Sequence, residues 1–169
     1  MEREASYGRS GFQLQFMLDT TLSDLEKYPL KINDLMCVSG LESWKEAPAK
    51  IQWASGTDQI KAIDSELPNV GLKGDYWVAP MYMSSEYAKF EGSVMAIDPS
   101  GRGADRTGYA VVKMLHGVLY LTDCGALEGG YSDIILERLS TIAKQQDVNQ
   151  VVIESNFGDG MATALLKPI

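Results

Sequence analysis

Histidine and cysteine are scarce in this chain of 169 residues, which has one histidine and two cysteines. Cys37 and Cys124 lie far apart, and neither has a partner at the spacing of metal-binding or redox motifs. The sequence therefore predicts two reduced, ordinary cysteines. The single histidine, His116, is expected to lie in a turn, so sites made of thiolates or of several imidazoles are excluded.

Long apolar runs are also lacking. No stretch approaches the ~18 apolar residues of a membrane-spanning helix, and Met1 to Glu4 have neither the basic nor the apolar region of a signal peptide. A hydrophobic content of 45% with 22% charged residues is typical of a globular protein. We therefore expect no membrane partner and a cytoplasmic location.

Positive charge is in deficit, because the formal net charge is −8. Nucleic-acid binding depends on cationic contacts with phosphates, so this total argues against a nonspecific polyanion binder. A metal-dependent phosphodiesterase, however, concentrates carboxylates at its site and holds the nucleic-acid backbone with basic residues elsewhere. The sign of the net charge does not decide between these two classes.

The second half of the chain has the clearest secondary-structure pattern. Apolar runs predict strands at Val94 to Ile97, Tyr109 to Leu115 and Val118 to Cys124, with a tight turn at His116 and Gly117. Ser132 is expected to cap a helix whose apolar face consists of Ile135, Leu136, Leu139, Ile142 and Ala143.

A fourth strand is predicted from Val148 to Ile153. A helix after an antiparallel hairpin acts as a crossover, so this strand is expected to return parallel to the first one. The predicted fold class is α/β, with a mixed sheet of three antiparallel strands, a crossover helix and a parallel fourth strand. Ligands of such sheets bind beyond the carboxyl ends of the strands.

Two acids end strands of this predicted sheet. Asp98 follows the first strand, where Pro99 prevents the ladder from continuing, and Glu154 follows the fourth. Two carboxylates ~4 Å apart repel by roughly 4 kcal/mol at an effective dielectric constant of about 20, and protonation or a cation relieves that repulsion. Without thiolates or a second histidine, the expected cation is a hard one, Mg²⁺ or Mn²⁺, which binds phosphates and activates water.

Other acids near these strand ends are weaker candidates. Asp105 follows a glycine-rich turn and is expected to supply a third oxygen ligand. Asp159 is near Glu154 in sequence, but a turn explains it equally well. Asp123 is interpreted as structural, and the alternative for Asp98 is a turn acid that accepts backbone hydrogen bonds.

Two motifs surround these acids: Ile97 to Gly103, with Asp105 and Thr107 to Ala110, and Val152 to Met161. They resemble the nuclease domain of bacteriophage terminase large subunits, most strongly that of short-tailed podovirus phages, where the protein is also called DNA maturase B. Upstream segments are similar to the part of that family that joins the packaging ATPase to the nuclease; they are Glu2 to Ala5, Tyr7 to Arg9, Phe12 to Leu18 and Leu67 to Asp75.

The resemblance implies an RNase H-like endonuclease that cuts concatemeric double-stranded phage DNA. Asp98 matches the family's first-strand metal ligand, Glu154 matches the acid that ends its fourth strand, and Asp105 matches an acid near the metals. The resemblance further implies Mg²⁺ or Mn²⁺ as cofactor, and the phage portal and small terminase subunit as partners. It also implies a homo-oligomer in the packaging motor and a location in the host cytoplasm.

The chain departs from the family pattern at two points. It has no G-x-x-x-x-G-K-[ST] motif for ATP, and the family's further metal-binding aspartate, on a later helix, has no counterpart before Ile169. We expect an irregular linker at residues 1–92, from the end of the packaging ATPase region, and an incomplete RNase H-like domain at residues 93–169. Cleavage by this chain alone is expected to be weak or absent.

Two other interpretations stay open. The first is a non-enzymatic module of the packaging motor, or a prophage remnant, because the first 92 residues have apolar surface but no catalytic signal. The second is a nucleotide-phosphate site of the kind found in actin-like and sugar-kinase folds. Their acid–glycine hairpins are usually tighter than the insertion from Pro99 to Ala104.

Overall fold

The structure, a computed structural model, describes residues 34–38, 41, 45–53, 63–64, 76–100, 105–130, 132–154 and 166. The chain divides into two compact units. One contains Met1–Val38 and Gln52–Met81, and the other contains Ser39–Ile51 and Tyr82–Ile169. The expected functional boundary between residues 92 and 93 stays a prediction. The similar segments at residues 2–5, 7–9, 12–18 and 67–75 lie outside the described residues.

Short strands alternate with turns in the first part of the described chain. Six of them are β1 (Glu46–Pro48), β2 (Ile51–Gln52), β3 (Ile63–Asp64), β4 (Trp77–Val78), β5 (Tyr82–Met83) and β6 (Tyr87–Lys89). They form three two-stranded ladders, which pair β1 with β6, β2 with β5, and β3 with β4. Frequent prolines and glycines keep such strands short, because they interrupt the ladder of backbone hydrogen bonds.

The larger sheet belongs to the second unit and has four strands. They are β7 (Gly92–Asp98), β8 (Thr107–Leu115), β9 (Val118–Leu127) and β10 (Gln150–Ile153), in the spatial order β10-β7-β8-β9. β7, β8 and β9 pair antiparallel, whereas β10 pairs parallel with β7. The predicted mixed α/β topology, including the parallel return of the last strand, is therefore confirmed.

The hairpin between β8 and β9 turns at the predicted residues. His116 has φ of 50° and Gly117 has φ of 79°, and two successive residues with positive φ make the turn whose twist matches the flanking strands. Farther along this hairpin the register shifts between Val111 and Val112, an irregularity that the apolar pattern of the sequence did not predict.

One helix, α1 (Asp133–Gln145), covers one face of the sheet. Its buried side chains Ile135, Leu139 and Ile142 pack against buried residues of β7 and β8, namely Met95, Ile97 and Val111. Ser132 is the N-cap residue, as predicted, but its hydroxyl makes no capping hydrogen bond. The Ser132 carbonyl oxygen instead accepts the N–H groups of Ile135 and Leu136.

A second cluster extends the core of this unit. Ala47 in β1 packs with Leu115 and Tyr120 from the β8–β9 hairpin. Phe90 contacts the same cluster, and its ring lies edge-on to that of Tyr120 with the centroids 5.3 Å apart. None of the helices in the described ranges has both the length and the apolar composition to cross a membrane.

Candidate metal centre

Asp98 is the last residue of β7 and lies on the face of the sheet opposite α1. Along β7 the side chains alternate, with Met95 and Ile97 buried against the helix and Ala96 and Asp98 exposed. This alternation follows from the two-residue period of a strand. The carboxylate of Asp98 is therefore exposed to solvent at the carboxyl end of β7.

Glu154 lies beside Asp98 because the parallel ladder continues one residue past β10. Ile153 is in register with Ile97, and the Glu154 N–H donates a hydrogen bond to the Ile97 carbonyl oxygen at 3.0 Å. Register partners in a sheet point to the same face, and neighbouring strands are about 4.8 Å apart. The structure thus brings together the two acids that the sequence singled out.

An open groove of about 480 Å³ runs beside the two acids on this face. It is lined by Ala96, Ile97, Asp98, Gly108, Tyr109, Ala110, Val152 and Glu154. Gly108 is the register partner of Asp98, and a Cβ atom placed on Gly108 would lie 3.9 Å from that of Asp98. The absence of a side chain at Gly108 therefore leaves space next to the Asp98 carboxylate.

A buried pair of hydroxyl side chains closes the base of the loop that follows Asp98. The Ser100 N–H donates to Thr107 Oγ1 at 3.1 Å, and the two hydroxyl oxygens are 3.0 Å apart. Sequence reasoning missed this pair. The available signal was one hydroxyl residue on each side of a glycine-rich loop, which in itself does not predict that the two side chains meet.

Two further acids were candidate metal ligands besides Asp98 and Glu154. Asp105 is exposed and precedes β8 by two residues. Across residues 34–154, leaving out the gaps given above, no three His, Cys, Asp or Glu side chains group in a way that could hold a metal. The role of Asp105 as a third ligand stays a prediction, and Asp159 lies outside the described residues.

Asp123 and His116 have structural partners. The Tyr109 hydroxyl donates to Asp123 Oδ1 at 3.3 Å. Burial first, and then the negative charge of Asp123, raise the pKa of Tyr109 above its ordinary value. His116 lies in the hairpin turn, and its Nδ1 is 3.1 Å from the Ala49 carbonyl oxygen. These contacts fit the interpretation of Asp123 as structural and the expected position of His116 in a turn.

The chemistry of the Asp98–Glu154 pair fits a hard divalent cation. Two solvent-facing carboxylates at one sheet edge provide oxygen ligands, and the groove leaves room for water and a phosphate. Mg²⁺ is commonly held by one or two carboxylates, with waters and substrate phosphates completing its coordination. Among the described residues that line the groove there is neither sulfur nor imidazole, so soft metals have no preferred ligands in that part of the chain.

Comparisons with known proteins identify sequences that are similar to this chain. Residues 97–169 match the sequence model of the family described as "Terminase Bacteriophage T7, Ribonuclease H-like domain". Over 168 residues the chain is 46% identical to a "Terminase, large subunit" of Enterobacteria phage T3. The alignment covers 99% of this chain and 28% of that relative, so the chain spans little more than a quarter of the relative's length.

Proposed function

Because this chain belongs to the family of bacteriophage terminase large subunits, and its residues 97–169 to their RNase H-like domains, we propose that it carries part of a metal-dependent DNA endonuclease site. Asp98 and Glu154 are the proposed metal ligands and catalytic residues. The single observation that supports this most is the hydrogen bond from the Glu154 N–H to the Ile97 carbonyl oxygen, which aligns the two acids at one edge.

Some residues of the proposed site would bind the cation, and others leave space for the DNA. Asp98 and Glu154 would hold Mg²⁺ or Mn²⁺, and Asp105 is proposed as a third oxygen ligand, although the described residues do not group it with the other two. A divalent cation bound there would stabilise the charge of the reacting phosphate and would activate water. The small side chains of Ala96 and Ala110, and the absence of a side chain at Gly108, keep the groove open, so that a DNA backbone reaches the acids.

In the whole terminase, this site would cut concatemeric double-stranded DNA during genome packaging in the host cytoplasm. The portal and the small terminase subunit are the proposed partners, together with further copies of the large subunit in the motor. By itself this chain is expected to cut weakly or not at all. The described residues bring only two carboxylates together, and a site with few protein ligands holds a cation poorly.

A packaging-motor interaction module is the second candidate function. The sheet face opposite α1 exposes apolar side chains in the β8–β9 hairpin, namely Met114, Leu119 and Leu121. Contiguous exposed apolar surface is typical of protein–protein interfaces. Binding of the portal or the small subunit that persists in Asp98→Asn, without any Mn²⁺ affinity in the unaltered chain, would favour this function over the nuclease.

Manganese binding tests the nuclease proposal directly. Mn²⁺ is titrated into the unaltered chain, Asp98→Asn and Glu154→Gln, and free Mn²⁺ is followed by electron paramagnetic resonance. Either substitution is expected to weaken binding by more than about ten-fold. The matched control is Glu137→Gln, a carboxylate-to-amide change on the exposed side of α1, which is expected to leave binding unchanged.

Cleavage of linear duplex DNA in the presence of Mn²⁺ provides the second measurement. Weak cutting that disappears in Asp98→Asn supports the proposal. Strong cutting by the unaltered chain that disappears in Asp98→Asn keeps the site but contradicts the proposal that this chain alone is weak. Unchanged Mn²⁺ affinity in both acid variants refutes the nuclease site.

A further inference from the structure

We propose that Thr107 is a positioning residue for Asp98, acting through its buried hydrogen bonds with Ser100. The proposal rests on the proposed function, since it concerns the geometry of a metal ligand. Ser100 and Thr107 are only 5% and 2% exposed, although Asp98 and Arg106 beside them are exposed. Two polar side chains are thus buried close to a solvent-exposed acid.

The buried hydroxyls partner each other. Thr107 Oγ1 accepts the Ser100 backbone N–H at 3.1 Å and lies 3.0 Å from Ser100 Oγ. A single threonine side chain therefore engages both the main chain and the side chain of Ser100. Burial of a hydroxyl is costly unless it is hydrogen-bonded, so these bonds hold the two residues together.

This contact lies just beyond the last rung of the β7–β8 ladder. That rung pairs Asp98 with Gly108, and the terminal rung of a hairpin opens more readily than the interior ones. Ser100 comes two residues after Asp98, and Thr107 immediately precedes Gly108. Hydrogen bonds between Ser100 and Thr107 therefore keep the terminal rung closed and fix the main chain of Asp98 from its outer side.

The inner side of Asp98 is fixed independently by the ladder with β10. The Ile97 carbonyl oxygen accepts the Glu154 N–H, which ties the residue before Asp98 to the second acid. Asp98 is thus placed between two main-chain restraints, one from Glu154 and one from Thr107. Because the main chain of Asp98 is already fixed, binding of a cation costs less conformational entropy than it would at a frayed strand end.

Three substitutions separate positioning from general stabilisation. Thr107→Val keeps the shape of the side chain but removes the hydroxyl, whereas Thr107→Ser keeps the hydroxyl. Ser100→Ala removes one hydroxyl but preserves the backbone donor. Mn²⁺ affinity and the midpoint of urea unfolding are measured for all three, and the unaltered chain and Asp98→Asn provide the reference affinities.

Thr107→Val is expected to weaken Mn²⁺ binding by about ten-fold, as loss of a group that orients a metal ligand typically does. Thr107→Ser is expected to restore the affinity of the unaltered chain, and Ser100→Ala to show a smaller loss. Unchanged affinity in a folded Thr107→Val, or no rescue by serine, overturns the proposal. If Thr107→Val does not fold, unchanged affinity in Ser100→Ala overturns it.

Failure of the proposed function has a different signature. If the unaltered chain binds no Mn²⁺, or if Asp98→Asn binds as well as the unaltered chain, then the metal site itself is refuted and this proposal falls with it. If Asp98→Asn abolishes binding while Thr107→Val and Ser100→Ala leave it intact, then the metal site stands and only the positioning role is refuted.

Discussion

The N–H of Glu154 donates a hydrogen bond to the carbonyl oxygen of Ile97, with 3.0 Å between nitrogen and oxygen. These residues are far apart in sequence, but the parallel ladder between β7 and β10 places them on neighbouring strands. The bond extends that ladder one residue beyond β10 and carries Glu154 to the level of Asp98. The candidate metal centre is therefore a consequence of strand register.

Gly108 should be essential for access to Asp98. Gly108→Val is expected to weaken Mn²⁺ binding by about ten-fold, because its methyl groups would occupy the space beside the carboxylate. Gly108→Ala is the matched control, since its Cβ would be at an ordinary contact distance of 3.9 Å from that of Asp98. Mn²⁺ titration checks this prediction, and equal affinities for the valine and alanine variants would contradict it.

Leu139 should contribute strongly to stability through its contacts between α1 and the sheet. It is 3% exposed in the core cluster, and Leu139→Ala is expected to lower the free energy of unfolding by about 2–5 kcal/mol because it leaves a cavity. Ile134→Ala on the same helix is the control, because Ile134 is 77% exposed. Its effect should stay within about 0.5 kcal/mol in urea unfolding.

Lys113 should make stability depend on pH. Its side chain is buried, its Nζ donates to the Gln146 carbonyl oxygen at 2.6 Å, and burial lowers the pKa of Lys113 below its ordinary value. The unfolded chain therefore binds more protons than the folded one between the lowered pKa and 10.5. Stability from this group rises with pH across that interval and is lost as pH falls through the lowered pKa.

Comparison with Lys113→Met isolates this effect. Burial also raises the pKa of Tyr109 and Tyr120, which removes stability at alkaline pH. Tyr109 is present in both proteins and cancels in the difference, whereas Tyr120 is the register partner of Lys113, so the comparison is read below the ordinary tyrosine pKa of 10.0. The free energy of unfolding of the unaltered chain, minus that of Lys113→Met, should increase from neutral pH toward 10.0. A difference that stays constant across this range would contradict the assignment.

The sequence predicted the main elements because their signals are local. Apolar runs marked β7 and β8, and the pair His116–Gly117 marked the turn. The spacing of Ile135, Leu139 and Ile142 marked the buried face of α1. From these elements, the rule for crossover connections predicted that the last strand would pair parallel with β7, and hence that Asp98 and Glu154 would share an edge.

Other features depend on contacts that no local pattern encodes. Ser132 was expected to cap α1 with its hydroxyl, but that hydroxyl makes no capping hydrogen bond. The Ser132 carbonyl oxygen accepts the N–H groups of Ile135 and Leu136. The register shift between Val111 and Val112, where the pairing skips Thr122 of β9, depends on how β8 and β9 fit together in space. The Ser100–Thr107 contact joins residues seven positions apart, and it depends on the register between β7 and β8.

By itself, the amino-acid sequence determined which residues are acids at strand ends, which faces are apolar and in what order the elements follow. Those properties depend on side-chain chemistry and on the fixed periods of strands and helices. Only the tertiary structure decided that Gly108 lies opposite Asp98, that Thr107 closes the base of the loop and that Lys113 is buried. Each of these depends on strand register, which is set by the packing of the whole unit.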